Sequence, residues 1–187
     1  MPKRLLPPPP VVIQGEGYKC WAAALESWLK ATPGRRQRDM EWLLSYSRKF
    51  RSVFEKDMAK MNKNFQMPEG AINAEMFKEM LKDSVLDFRM EFEEHPAGIM
   101  LADDHLYQTM AMHPGYHLIV YTPRGQGSNM TRHANVIFGA ADDGSVMVME
   151  PMRGTHMGKH KDAFGSPMLL AYPEAAINPW SDVVPLR

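Results

Sequence analysis

The 187-residue chain contains one cysteine, Cys20, set in the stretch Gln14-Gly-Glu-Gly-Tyr-Lys-Cys20-Trp-Ala-Ala. Cys20 opens a run of strong helix formers, CWAAALESWLKA. A thiol at the start of a helix sits in the partial positive charge of the unpaired amides, which favours the thiolate, the nucleophilic form. Gly15 and Gly17 leave the backbone free to approach a substrate closely. Gln14, six residues upstream, is placed to offer a side-chain amide to an oxyanion beside the Cys20 backbone N–H. The plainer reading of the same cysteine is a buried structural residue.

A nucleophilic thiol needs a base. His133 in His-Ala-Asn-Val-Ile-Phe-Gly opens a β-type run after a glycine-bearing loop, which would hold its ring rigidly toward a cleft. There it could take the Cys20 proton and form an ion pair active near neutral pH. Glu150, before Pro151, ends the next β-type run. A hairpin would bring it beside His133 to accept the second imidazole N–H and fix the tautomer; a solvated loop start is the alternative. Asn135 is two residues from His133 and too local to orient its ring, whereas His117, also opening a strand, is a second candidate base. His113 and His117 flank a Pro-Gly turn without Cys or carboxylate partners at ligand spacing. Met110-Ala-Met112-His113 is a weak approach to a methionine site, so neither metal nor cofactor is expected.

These residues must be positioned by regular elements. Trp21, Ala24, Leu25, Trp28 and Leu29 recur at three- and four-residue steps, predicting a helix over 20–31 that ends at Thr32-Pro33-Gly34. A second helix is expected from about Asp39 to Lys63, and a third over 74–82 capped by Asn73. A short fourth spans about Asp104 to Met112. Then the period changes to short β-type runs at 117–121, 133–139, 146–150 and 168–172, separated by turn sequences such as Asp142-Asp-Gly-Ser. Helices first and antiparallel strands second predict an α+β protein, a helical lobe packed on a sheet lobe with the site between them. Pro7 to Pro10 predict an extended spacer, so residues 1–10 are read as a proline-rich linker and 11–187 as the domain.

Composition narrows the function classes. The 44% hydrophobic and 24% charged residues describe a globular protein with a core large enough to need no metal or disulfide. Twenty-two basic and 22 acidic residues give a formal net charge of +0, so nothing favours nucleic acid or an anionic membrane surface. The 17 methionines serve as adaptable core fillers. With neither a signal-like apolar run nor a membrane-span pattern, the expected setting is a cytosol, or export by a route that reads no Sec-type signal.

The Gln14–Cys20–Trp21 stretch resembles the oxyanion-glutamine and nucleophile motif of papain-like cysteine peptidases. The later pattern, His133-Ala-x-Val-x-x-Gly, Asp-Asp-Gly and Glu150-Pro, is similar to a small bacterial branch of bacteriocin-processing domains and plant-pathogen effector proteases. The resemblance spans roughly residues 11–154, although 35–115 match only in helical character. It implies Cys20 as nucleophile, His133 as base, Glu150 as orienting group and Gln14 as oxyanion donor. Glu150 stands where the family usually has Asp or Asn.

The expected function is therefore a cysteine endopeptidase acting on a protein substrate through a Cys20 thioester. The same dyad would also serve an amidase, a glutamine deamidase or a transglutaminase, and a third reading is an inactive papain-like binding module. The long Cys-to-His interval filled by helices favours the peptidase, and retention of all three motif residues opposes the inactive module. A compact domain with no signal-like run, a single cysteine and a proline-rich leader also looks like the terminal toxin domain of a larger bacterial effector, of the kind neutralised by an immunity or inhibitor protein.

Overall fold

The computed structural model describes residues 3–62, 67–124 and 132–174. Among them are four α-helices and a seven-stranded sheet in which every pairing is antiparallel, making the protein α+β. The elements run β1 (Lys3–Leu5), α1 (Cys20–Ala31), α2 (Met40–Met61), α3 (Ala74–Lys82), β2 (Met90–His95) and α4 (His105–Met112). They continue as β3 (His117–Pro123), β4 (His133–Ala141), β5 (Ser145–Glu150), β6 (Thr155–His160) and β7 (Phe164–Pro173). Spatial order across the sheet is β2-β7-β3-β4-β5-β6, with β1 pairing the far end of β4.

α1 forms where its periodicity predicts, and ten of its residues, Cys20 to Leu29, are buried. It lies against the sheet because its wide apolar stripe must be covered. Trp21, Leu25, Trp28 and Leu29 pack with Leu118, Val120, Ala134, Val136 and Leu169, joined by α3 through Phe77 and Met80. Glu26, near the middle of α1, accepts the backbone N–H of Met40 at 2.7 Å and so anchors the start of α2. Asp39 caps α2 through the Trp42 N–H, and Asn73 caps α3 through the Met76 N–H, both at 2.8 Å. The opposite sheet face, with Ile119, Ile137, Val148 and Leu170, is covered by Leu106 and Met110 of α4.

The part of the chain before β3 is less purely helical than expected, because it supplies β1 and β2 as well as the four helices. Helices also cover both sheet faces, α1 and α3 on one and α4 on the other. The proline run lies on the domain instead of standing clear of it as a linker. An extended proline segment leaves its carbonyls free to accept hydrogen bonds. Pro7 accepts from the Tyr116 hydroxyl at 2.9 Å, Pro9 is hydrogen-bonded to the His156 ring at 2.7 Å, and Pro10 accepts from Ser27 Oγ at 2.7 Å. Just before them, Leu6 N–H donates to Phe138 O and Lys3–Leu5 pair with Gly139–Ala141. The glycine-bearing loop before His133 falls at 125–131, outside the described residues.

Candidate active site

Cys20 occupies the first position of α1, preceded by Lys19, which makes no side-chain cap. No Ser, Thr, Asp or Asn competes there for the first-turn amides, so the positive end of the helix stays available to an anion. The helix presses its Cys20 end onto the start of β4, where the thiol lies 3.7 Å from the carbonyl of Arg132. The next residue, His133, begins that strand, and the neighbouring Cys20 thiol is one of the groups that raise the pKa of its ring. Sequence placed these two residues in different halves of the chain, and packing of α1 across β4 brings them together.

The β4–β5 hairpin does the same for the third residue. β4 and β5 pair through Val136↔Met149 and Ala140↔Val146, with a register shift between Ile137 and Gly139, so the end of β5 comes back beside the start of β4. His133 Nε2 is hydrogen-bonded to Glu150 Oε1. Its Nδ1 is thereby the nitrogen left for the thiol. His133 and Glu150 are both buried, and their burial makes the pair electrostatically strong. Burial works against charge on the His133 ring, but Cys20 and Glu150 outweigh it and raise its pKa to about 9. Burial pushes the Glu150 carboxyl upward, yet His133 and Lys159 hold it down to about 2. Near neutral pH the imidazolium and carboxylate forms therefore prevail.

Lys159, which sequence reading did not single out, completes the network. From β6 its ammonium donates to Glu150 Oε2 at 2.7 Å, to the Tyr121 hydroxyl at 2.8 Å and to Asn135 Oδ1 at 3.1 Å. Tyr121 donates to the same Asn135 oxygen at 2.8 Å, while the Asn135 amide donates to Met149 O. Asn135 thus serves the network behind Glu150 instead of the His133 ring. The phenol of Tyr121 is held above its ordinary range by burial and by the nearby Glu150 and Cys20. The available signal for Lys159 was weak, a lysine alternating with Thr155 and Met157 in a polar run.

Gln14 is buried beside the same centre. Its backbone N–H donates to Pro151 O, immediately after Glu150, which ties the Gln14 segment to the end of β5. One side-chain N–H is spent on Gly17 O at 3.0 Å, leaving the second N–H of the amide available, while Oε1 is buried without a hydrogen-bond partner. Gly15 and Gly17 take φ of 67° and 85°, so this loop uses their freedom to fold Gln14 back toward Cys20.

Two cavities meet at the Cys20–His133 pair. One, about 450 Å³, is walled by Trp21, Phe54, Ile72 and Phe77 and is mainly apolar. The other, about 300 Å³, holds Gln14, Glu150, Arg153 and Lys159 and is more polar. Tyr18, Cys20, Arg132 and His133 line both, so the thiol and imidazole sit where the two halves of one cleft join. Trp21 Nε1 donates to Gly70 O at 2.7 Å, pinning the 67–73 segment as a wall of the apolar half. His117, the second candidate base, lines neither cavity. It is hydrogen-bonded to Gly115 O, and burial lowers its pKa to about 4.

The arrangement offers a thiol at a helix N-terminus, an imidazole oriented by a buried carboxylate, and a nearby amide donor. Such a set can generate a thiolate–imidazolium pair, deliver a nucleophile to a carbonyl carbon and protonate a leaving group. Compared with known proteins, the sequence matches no family model and no curated relative.

Proposed function

We propose that the protein is a papain-like cysteine peptidase that cleaves a protein substrate by acyl transfer through Cys20. The observation that carries this reading is the line Cys20, His133, Glu150, in which the base is buried, oriented and raised to about 9 at the mouth of a cleft. The Cys20 thiolate attacks the scissile carbonyl, forming a C–S bond and a tetrahedral oxyanion. The Gln14 amide and the Cys20 backbone N–H are the groups that would meet that oxyanion. Collapse breaks the C–N bond as His133 hands its proton to the leaving amine. The neutral imidazole then takes a proton from water, which attacks the thioester and frees the carboxylic acid and the thiolate.

The divided cleft favours an extended chain as substrate, because a polypeptide crossing the Cys20–His133 junction would occupy both halves. Incubation of a cell lysate with the wild type and a Cys20→Ala variant, followed by N-terminal labelling, tests the reading. New N-termini dependent on Cys20 support a peptidase. Glutamine deamidation or cross-linking without new termini would assign the dyad to the other acyl-transfer chemistry. The effector or toxin role, acting in a target-cell cytosol and countered by an immunity protein, belongs to the same proposal. It is tested by bacterial growth on expression of wild type against Cys20→Ala, and equal growth would reject it.

A further inference from the structure

A second group of ligand-type side chains lies outside both cavities beside Cys20. Glu93 and His95 are two residues apart on β2 and therefore share a face. α4 crosses that face and opens with His105. Nε2 of each imidazole turns to the same carboxylate oxygen: His105 is hydrogen-bonded to Glu93 Oε1, and His95 Nε2 lies 3.1 Å from it. The approach of His95 is not aligned for a hydrogen bond, so its Nε2 is buried without a hydrogen-bond partner among the described residues. The two rings stand edge to face at 87°, with centroids 5.2 Å apart. All three ligand atoms fall within 4.8 Å of one another.

A carboxylate between two imidazoles can be satisfied by proton sharing, as an ordinary ion-paired cluster. That solution leaves the 3.1 Å approach of His95 Nε2 to Glu93 poorly aligned, whereas a cation at the point of convergence would use all three groups at once. We propose that Glu93, His95 and His105 bind one first-row divalent transition-metal ion, zinc by preference, and thereby clamp edge strand β2 to α4.

The donor set decides the class of ion. Two imidazole nitrogens and one carboxylate oxygen suit zinc and its neighbours, whereas calcium and magnesium prefer oxygen-only shells. With metal–ligand bonds of about 2.0–2.2 Å, tetrahedral ligands sit roughly 3.3–3.6 Å apart, near the observed His95–Glu93 spacing, whereas the His105–Glu93 contact is tighter and would open around an ion. The side chains of Glu93, His95 and His105 are 29%, 15% and 28% exposed, which leaves a side for a fourth ligand from solvent. Among the described residues β2 pairs only with β7 and ends the sheet. A clamp there would fasten the 96–104 connection, which carries Ile99 and Met100 exposed to solvent.

The test is titration of the full chain with Zn²⁺, followed by calorimetry and by the visible spectrum of the Co²⁺ form. Using the Cys20→Ala chain keeps the thiol from competing for the ion. One equivalent should bind with micromolar or tighter affinity, raise the melting temperature and give a Co²⁺ spectrum of tetrahedral type without thiolate bands. His105→Gln and Glu93→Gln should each weaken binding by at least about tenfold, while His160→Gln, at an exposed histidine elsewhere, should leave it unchanged. Near-UV circular dichroism of each metal-free variant confirms that it is folded. No saturable binding to the Cys20→Ala chain, or undiminished affinity in both folded ligand variants, overturns the proposal.

Discussion

Lys159 Nζ lies 2.7 Å from Oε2 of Glu150, the carboxylate oxygen that does not face His133. Glu150 is thus held from both sides, and its rotamer is set before any substrate arrives. A carboxylate held only on its Oε1 side, by His133 and the Met152 N–H at 3.3 Å, could more easily turn away from the imidazole. With a lysine fixed in turn by Tyr121 and Asn135, it has little freedom to do so.

Lys159→Met should therefore act on both stability and chemistry. Removing one partner of this buried pair should cost about 2–3 kcal/mol, since His133 still compensates part of the Glu150 charge. Urea unfolding measures the loss. The His133 titration, followed by NMR, should become broader and shift to lower pH as Glu150 gains freedom. Unchanged stability would mean that the ammonium is merely solvated near Glu150.

The two shifted groups set the pH dependence of stability. His133 is raised from 6.5 to about 9, so its contribution is fully present below about pH 6.5 and is lost as pH rises through 9. Glu150 is lowered from 4.5 to about 2, so its contribution is present above about pH 4.5 and is lost as pH falls toward 2. Denaturation midpoints across pH 2–10 should show a plateau between those limits and decline on both sides. Glu150→Gln should lower the His133 pKa and move the alkaline decline to lower pH.

Cys20 and Gln14 can be separated by their chemistry. Alkylation of the thiol by a small electrophile forms no oxyanion, whereas amide cleavage does. Gln14→Ala should leave the alkylation rate within about twofold while reducing kcat by roughly 10²–10³. His133→Ala should slow both reactions. If His133→Ala leaves the alkylation rate unchanged, the imidazole does not activate the thiol.

Trp21→Phe probes the wall of the cleft. It keeps the apolar ring but deletes the 2.7 Å bond to Gly70 O, leaving the 67–73 segment less firmly tied. A loss of about 1–2 kcal/mol in stability is expected, with KM raised more than kcat is lowered. A change confined to kcat would place the tryptophan's effect on Cys20 instead.

Sequence and structure agree best where local chemistry was decisive. α1 is framed by Cys20 and the Thr32-Pro33-Gly34 stop, and α3 by its Asn73 cap, so both were readable to the residue. Strands β3 and β4 were readable from their mainly apolar, β-branched and aromatic runs. β2 and β6 were not, because Met-Glu-Phe-Glu-Glu-His and Thr-His-Met-Gly-Lys-His are polar edge strands with little apolar alternation. Missing β6 also meant missing Lys159, whose importance lies in the reach of its side chain to the neighbouring strand. His133 and Glu150 could be anticipated together because one hairpin joins them. The union of Glu93, His95 and His105 depends on how α4 crosses the sheet, which no local pattern states.

The hairpin that joins His133 to Glu150 has a bearing on timing. These residues are 17 positions apart, so the imidazole and the carboxylate can meet as soon as β4 and β5 pair. Cys20 can join them only after α1 has packed across β4, a contact between distant parts of the chain with a larger loop-closure cost. The thiol would then acquire its base last, and a half-folded chain would carry a latent nucleophile instead of an active one. In refolding experiments, fast alkylation at Cys20 should lag the appearance of β4–β5 structure; simultaneous onset would show that maturation of the thiol has no separate final step.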